Sequence, residues 1–120
     1  MTDFELALSQ AKVNQKTIML SFSGSDWCTW CMKLEHEVFS RPEFQEWAKS
    51  HVILLKVDFP QTVKLKEEEQ RRNEQLAQQY HVEGFPTVLL VDADGRELAR
   101  TGYKPGGVAA YVEHLNGLLK

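Results

Sequence analysis

The 120-residue sequence lacks the features that would assign it to several broad classes of protein. No apolar run approaches the roughly 18 residues that a membrane-spanning helix requires, so we expect no membrane insertion. The net charge of −3 at pH 7 leaves no basic excess, which argues against nucleic acid as a partner. The chain carries no set of disulfide staples, but its length suffices for a core without them. We therefore expect a single domain spanning residues 1–120 and a monomer.

The opening segment, residues 1–4, lacks the basic and then apolar character of a signal peptide. A signal that had been removed would leave no trace in this sequence. The segment therefore does not decide between an exported and a cytoplasmic protein.

Only two cysteines are present, and they stand together as Cys28-x-x-Cys31, where an apolar strand is predicted to run into a helix. A thiol in the first turn of a helix faces the positive end of the helix dipole, which favours the nucleophilic thiolate. Cys31 shares an apolar stripe with Leu34 and Val38, whereas Cys28 lies at the helix end. The pattern predicts a redox-active dithiol, with Cys28 as an exposed attacking thiol and Cys31 as a shielded resolving thiol.

Other uses of a Cys-x-x-Cys pair are weighed against this prediction. A zinc site within one chain would need further ligands, but the four histidines are scattered without metal-ligand spacing. Haem attachment would need histidine at position 32, which is methionine. A structural disulfide closing so small a loop would constrain little of the unfolded chain. A metal site shared across a dimer stays open as a minor alternative, and we expect no metal or other cofactor.

Four apolar segments are predicted to form one mixed sheet. The first strand, from about 17 to 22, leads into the dithiol. The run 52–55 is typical of a strand covered on both faces, and we expect it to lie centrally and parallel to the first. The segments 88–91 and 97–101 flank an Asp-Gly turn and are predicted to form a hairpin.

Amphipathic segments between these strands predict helices on both faces of the sheet. One helix begins at Cys28 and runs to about Phe39, after which Ser40 and Glu43 have the spacing of a capping box. The charged segment 66–72 predicts a solvated helix face stabilised by pairs such as Glu67 with Arg71 and Glu68 with Arg72. The remaining helices are predicted at 4–11 and from about 105 to 119. The fold class is therefore α/β.

Two motifs in this order resemble the thioredoxin family. Trp-Cys-x-x-Cys-x-Lys at 27–33 follows an apolar strand, and Gly-Phe-Pro-Thr at 84–87 precedes the hairpin. The resemblance covers nearly the whole chain, and the segments 22–31, 57–60 and 102–112 further resemble the DsbH-type periplasmic thiol-disulfide oxidoreductases. It implies a thioredoxin-like mixed sheet with helices on both faces. It also implies that Pro86 is a cis-proline lying against a redox-active Cys28-Cys31 disulfide.

The resemblance further implies a periplasmic reductase of disulfides, with a cytoplasmic protein as the alternative. Its partners would be disulfide-containing proteins or small disulfides and an upstream electron-donating reductase. There are two alternative functions. The protein could be a disulfide oxidase or isomerase, or it could be a thioredoxin-fold binding or adaptor module.

Aromatic residues near both motifs are candidates for contact with the substrate. Trp27, Trp30, Phe85 and the backbone beside Pro86 would form an apolar platform for an extended segment around a cystine. The alternative for each of these aromatic residues is that it belongs to the hydrophobic core and does not contact the substrate.

Two departures from ordinary thioredoxin concern the chemistry of the dithiol. Thr29-Trp30 replaces Gly-Pro between the cysteines, and positions 20–22 offer no acidic residue as proton acceptor for the shielded thiol. Glu35 is a candidate substitute, with a solvated or salt-bridged glutamate as the alternative.

The residues around the dithiol also predict its redox direction. No His or Arg lies between the cysteines to stabilise a thiolate, and Asp26 would oppose one if it were close. We therefore expect a potential nearer thioredoxin's, about −270 mV, than DsbA's, about −120 mV.

Overall fold

The computed structural model describes residues 3–120, so the first two residues of the opening segment 1–4 lie outside the described residues. The elements in chain order are α1 (Phe4–Asn14), β1 (Thr17–Ser23), α2 (Thr29–Leu34), a π-helix (Glu35–Phe39), α3 (Pro42–His51), β2 (Val52–Asp58), α4 (Glu67–Gln79), β3 (Thr87–Val91), β4 (Glu97–Thr101) and α5 (Gly107–Leu119). Within the described residues, no helix is long and apolar enough to cross a membrane.

The strands form a mixed sheet in the order β2-β1-β3-β4. β1 pairs parallel with β2 and antiparallel with β3, and β3 pairs antiparallel with β4 as the predicted hairpin. The crossover that parallel neighbours require is supplied by α2, the π-helix and α3. Apolar clusters on both faces join the sheet to the helices, with α1 and α4 in one cluster and α2, α3 and α5 in the other. The predicted thioredoxin-like mixed sheet is confirmed.

β2 lies at one edge of the sheet, so the prediction that it is central is wrong. Its side chains alternate between the two clusters, with Val52 in one and Leu55 and Val57 in the other. The apolar run therefore reflects helices covering both faces of the strand. Coverage of the faces is independent of whether both edges are paired.

The helix after the dithiol changes its hydrogen bonding at Glu35, where α2 gives way to the π-helix. The Ser40 backbone N–H donates to the Glu35 carbonyl at 2.9 Å, which is an i to i+5 bond. The next helix begins at Pro42, but its N-cap is Arg41 and no side chain caps it, so the predicted capping box of Ser40 and Glu43 is wrong. Ser40 instead ends the π-helix.

α4 carries the charged face that the sequence predicts. Glu67 lies 3.6 Å from Arg71, which confirms that pair. Arg72 instead approaches Asp3 at 3.9 Å, so its predicted pairing with Glu68 is wrong. All these groups are exposed, and such surface pairs contribute little to stability.

Candidate active site

Cys28 and Cys31 form a disulfide at the start of α2. Cys28 is the N-cap residue, and its sulfur accepts a hydrogen bond from the Cys31 backbone N–H at 3.3 Å. The sulfur therefore faces the positive end of the helix dipole, as predicted. The prediction that Cys28 is exposed is wrong, because its residue exposure is 8% against 4% for Cys31. Cys28 is still the more accessible of the pair.

The loop before β3 lines a pocket together with Cys31. The Phe85–Pro86 peptide bond is cis, as the family resemblance implies. Pro86 lines the same pocket as Cys31. A Cβ at Gly102 would lie 3.0 Å from the Pro86 carbonyl oxygen, so glycine lets the loop after β4 pack closely on this backbone.

Trp27 is fixed next to Cys28 by three contacts. Its Nε1 donates to the Phe59 carbonyl at 2.7 Å, and its ring meets Phe85 edge-on with centroids 5.9 Å apart. A methyl group at Gly24 would overlap the indole, so glycine leaves the space that the ring fills. Trp27 nevertheless remains 40% exposed and presents a fixed apolar surface.

Trp30 presents a second aromatic surface and is 54% exposed. Its ring packs on Tyr103 with centroids 5.2 Å apart, and Tyr103 directly follows Gly102 in the loop that touches Pro86. Phe85 and Pro86 are half-buried. The predicted substrate-contact residues therefore form two aromatic contacts, Trp27 with Phe85 and Trp30 with Tyr103, and the two tryptophans directly precede the two cysteines. The structure adds Tyr103, which lies in the family-like segment 102–112 but which the sequence does not predict as a site residue.

Asp26 anchors the loop after β2. Its carboxylate accepts hydrogen bonds from the backbone N–H groups of Gln61, Thr62 and Val63 at 2.8, 2.8 and 3.2 Å, and from the Thr62 hydroxyl at 2.5 Å. These donors, led by the Gln61 N–H, hold the pKa of Asp26 well below its usual range. The carboxylate is thus held by the loop and stays ionised at neutral pH. That it opposes a thiolate at Cys28 stays a prediction.

Asp26→Asn is expected to destabilise the protein at neutral pH. The amide carries no charge to attract the loop N–H donors, and its NH₂ group cannot accept from them. A carboxyl with a lowered pKa in the folded state contributes stability above its unfolded pKa of about 3.9, and that contribution is lost as pH falls below it. Thermal unfolding should therefore show a lower Tm for the variant at pH 7. The difference in Tm between the wild type and the variant should become smaller toward pH 3. A difference in Tm that stays constant with pH would contradict the expectation.

A pocket of about 630 Å³ opens behind Cys31 and is lined by Glu35 and Lys56. Lys56 Nζ donates to Glu35 Oε1 at 2.9 Å, so Glu35 is salt-bridged through one of its two carboxylate oxygens. The other carboxylate oxygen, Oε2, is buried and has no hydrogen-bond partner within residues 3–120. Ser21 lies opposite Lys56 in the register of β1 and β2, so this position in β1 supplies no carboxylate. The only sequence signal for Lys56 is a lysine within an apolar strand.

Thiol-disulfide exchange is the chemistry that the two sulfurs can support. In the part of the chain that the structure describes, no group of three or more His, Cys, Asp or Glu side chains is placed to hold a metal ion.

Both the sequence and the fold match known proteins. The model of the family described as thioredoxin-like domain matches residues 4–116. The chain is 44% identical over 114 residues to the disulfide bond reductase DsbH of Chlamydia pneumoniae, covering 95% of this chain and 69% of that protein. A solved DsbH oxidoreductase superposes with a TM-score of 0.93 and 41% identity, covering 99% of this chain and 83% of that one. The chain is also 31% identical to the thiol:disulfide interchange protein DsbD of Cronobacter sakazakii, covering 98% of this chain but 19% of DsbD.

Proposed function

Because the chain belongs to the thioredoxin-like domain family, we propose that this DsbH-like thiol-disulfide oxidoreductase works as a reductase of protein disulfides. The observation that carries the proposal is the Cys28 sulfur at the N-cap of α2, bonded to one backbone N–H. A strongly oxidising dithiol needs a very stable thiolate in its reduced form. No Arg or His lies between the two cysteines, which leaves the helix end as the main stabilising group. Such moderate stabilisation favours a reductase.

The proposed reaction moves two electrons from the enzyme dithiol to a substrate disulfide. The Cys28 thiolate attacks one substrate sulfur, the substrate S–S bond breaks, and the departing thiolate takes up a proton. The Cys31 thiol loses its proton and attacks the Cys28 sulfur, which breaks the mixed disulfide and releases the second substrate thiolate. The enzyme is left with the Cys28–Cys31 disulfide. An upstream reductase must then return two electrons, and one proton is taken up to restore the Cys28 thiolate and the Cys31 thiol.

The proposed substrate platform consists of Trp27, Trp30, Phe85 and the backbone beside Pro86. The exposure of the two tryptophan rings supports this role, because both retain large apolar surface next to the sulfurs. An extended segment around a cystine would lie across this surface. Protein disulfides are therefore the proposed substrates, with small disulfides as a second class.

The proposal is tested by equilibrating the Cys28–Cys31 couple with glutathione and assaying insulin reduction in parallel. We expect a potential near −270 mV, about that of thioredoxin, together with turnover of insulin. The redox state can be followed by thiol alkylation. A potential above about −180 mV would reassign the protein to the oxidases or isomerases. Absence of a reversible couple would favour a binding or adaptor module.

The cellular setting is proposed from the same relatives. DsbH and DsbD are named as disulfide reductase and interchange proteins, which supports a setting in which disulfides form and must be reduced. We therefore place the chain in the periplasm, as a monomer and a single domain over residues 1–120, with disulfide-bonded proteins and an electron-donating reductase as partners. The disulfide itself would be its only redox group.

A further inference from the structure

The aromatic surface at Trp30 carries a positive charge. Lys33 Nζ lies 5.0 Å from the centroid of the Trp30 ring and 5.5 Å from that of Tyr103, so one ammonium group covers both rings. Lys33 is exposed, and within residues 3–120 it forms no salt bridge with a carboxylate. We call Trp30, Lys33 and Tyr103 the cationic platform.

The π-helix accounts for the unpaired charge. Glu37 stands four residues after Lys33, which is the spacing at which a regular α-helix forms an ion pair. The π-helix begins between them at Glu35 and changes the angular spacing of the side chains. The Glu37 carboxylate instead accepts a hydrogen bond from the Tyr103 hydroxyl at 2.5 Å, and this bond raises the pKa of Tyr103. Glu37 thereby holds Tyr103 in place against Trp30.

We propose that the cationic platform selects polypeptide disulfides with an Asp or Glu next to the attacked cysteine. The inference rests on the proposed reductase function and adds a substrate preference to it. Trp30 lies between the two cysteines in the chain, and its exposed ring would be next to a substrate chain that is bonded to Cys28. A substrate carboxylate can come into direct contact with the Lys33 ammonium, which Glu37 does not. Glu37, which is hydrogen-bonded to the Tyr103 hydroxyl, opposes this attraction, and the exposed Lys104 follows Tyr103 in the chain.

The preference is measured with two synthetic peptides that each contain one intrachain disulfide. Asp flanks both cysteines in one peptide, and Asn replaces each Asp in the other. We expect the reduced enzyme to react about two- to fivefold faster with the Asp peptide at low salt, which corresponds to one exposed ion pair. The ratio should fall toward one at about 1 M salt, where charges are screened beyond about 3 Å. The rate at which dithiothreitol reduces each peptide is measured as well, and it corrects for the intrinsic reactivity of the two disulfides.

Lys33→Met should bring the Asp-to-Asn rate ratio close to one. Lys12→Met is the matched control, because it removes the same charge from an exposed position on α1, and it should keep the wild-type ratio. Equal rates for the two peptides with the wild-type enzyme, or an unchanged ratio in Lys33→Met, would overturn this inference alone. Reduction of neither peptide would overturn the reductase proposal as well.

Discussion

Replacing Cys28 with serine is expected to reduce disulfide reduction to the uncatalysed rate while leaving the fold intact. A serine hydroxyl is not ionised at neutral pH and does not attack disulfides. Serine is also a favoured N-cap residue, so its oxygen can accept the Cys31 N–H that the sulfur accepts in the present structure. Insulin turnover measures the loss, and far-UV circular dichroism with thermal unfolding checks that the variant is folded.

Cys31→Ala provides the matched variant for the second step. Cys31 is buried on an apolar stripe with Leu34, and alanine keeps that environment without adding an unpaired hydroxyl. Cys28 can still attack the substrate, but no thiol remains to resolve the mixed disulfide. The covalent adduct should accumulate and be visible by mass spectrometry under non-reducing conditions.

The two cysteine variants together distinguish an enzyme from an adaptor. A double variant, Cys28→Ser with Cys31→Ala, should form no adduct. Substantial insulin turnover by the single Cys28→Ser variant would rule out Cys28 as the nucleophile. Partner binding that persists in a variant without turnover would show that recognition and catalysis are separate roles.

The sequence predicts the fold well because its strongest signals are local. The strand before Cys28, the hairpin around residues 92–95 and the apolar stripe of the helix after the dithiol each depend on periodicity or turn chemistry within a few residues. These segments are found where the sequence places them. The edge position of β2 could not be predicted in the same way, because the apolar pattern of a strand reports its covered faces and not its neighbours.

The sequence predicts the two reactive cysteines of the candidate site, but it predicts fewer of the side chains around them. The Cys-x-x-Cys motif and Pro86 are recognisable as motifs. Lys56 and Tyr103 reach the site from other parts of the chain. Lys56 belongs to no motif, and the resemblance of the segment 102–112 does not mark Tyr103 as a site residue. The π-helix also cannot be predicted from an apolar pattern with a period of 3.6 residues. Within it, Glu35 accepts from Lys56 and Glu37 accepts from Tyr103.

Glu35 is proposed as the proton acceptor for Cys31 in the resolving step. Both residues line the pocket behind the disulfide, and the strand that precedes Cys28 supplies no carboxylate there. One Glu35 oxygen is held by Lys56, while Oε2 is buried and has no hydrogen-bond partner among residues 3–120. An unpartnered buried carboxylate oxygen is well suited to accept a proton, directly or through one water molecule.

Glu35→Gln is expected to slow the resolving step about a hundredfold at pH 6 to 7, the size of effect typical of general acid-base catalysis. Glutamine keeps the shape of the side chain but cannot take the proton from Cys31. The rate of the variant should rise with pH and approach that of the wild type at alkaline pH, where hydroxide removes the thiol proton without a carboxylate. Single-turnover release of the second substrate thiol, measured from pH 5 to 10, provides the profile.

Glu46→Gln is the matched control for this experiment, because it makes the same change at an exposed position on α3. Its pH profile should superimpose on that of the wild type. A uniform loss of rate for Glu35→Gln at every pH would indicate a structural role, because a misplaced Cys31 would not be rescued by its own ionisation. A profile identical to the wild type would show that the proton leaves Cys31 by another route. Only a loss confined to low pH supports Glu35 as the acceptor.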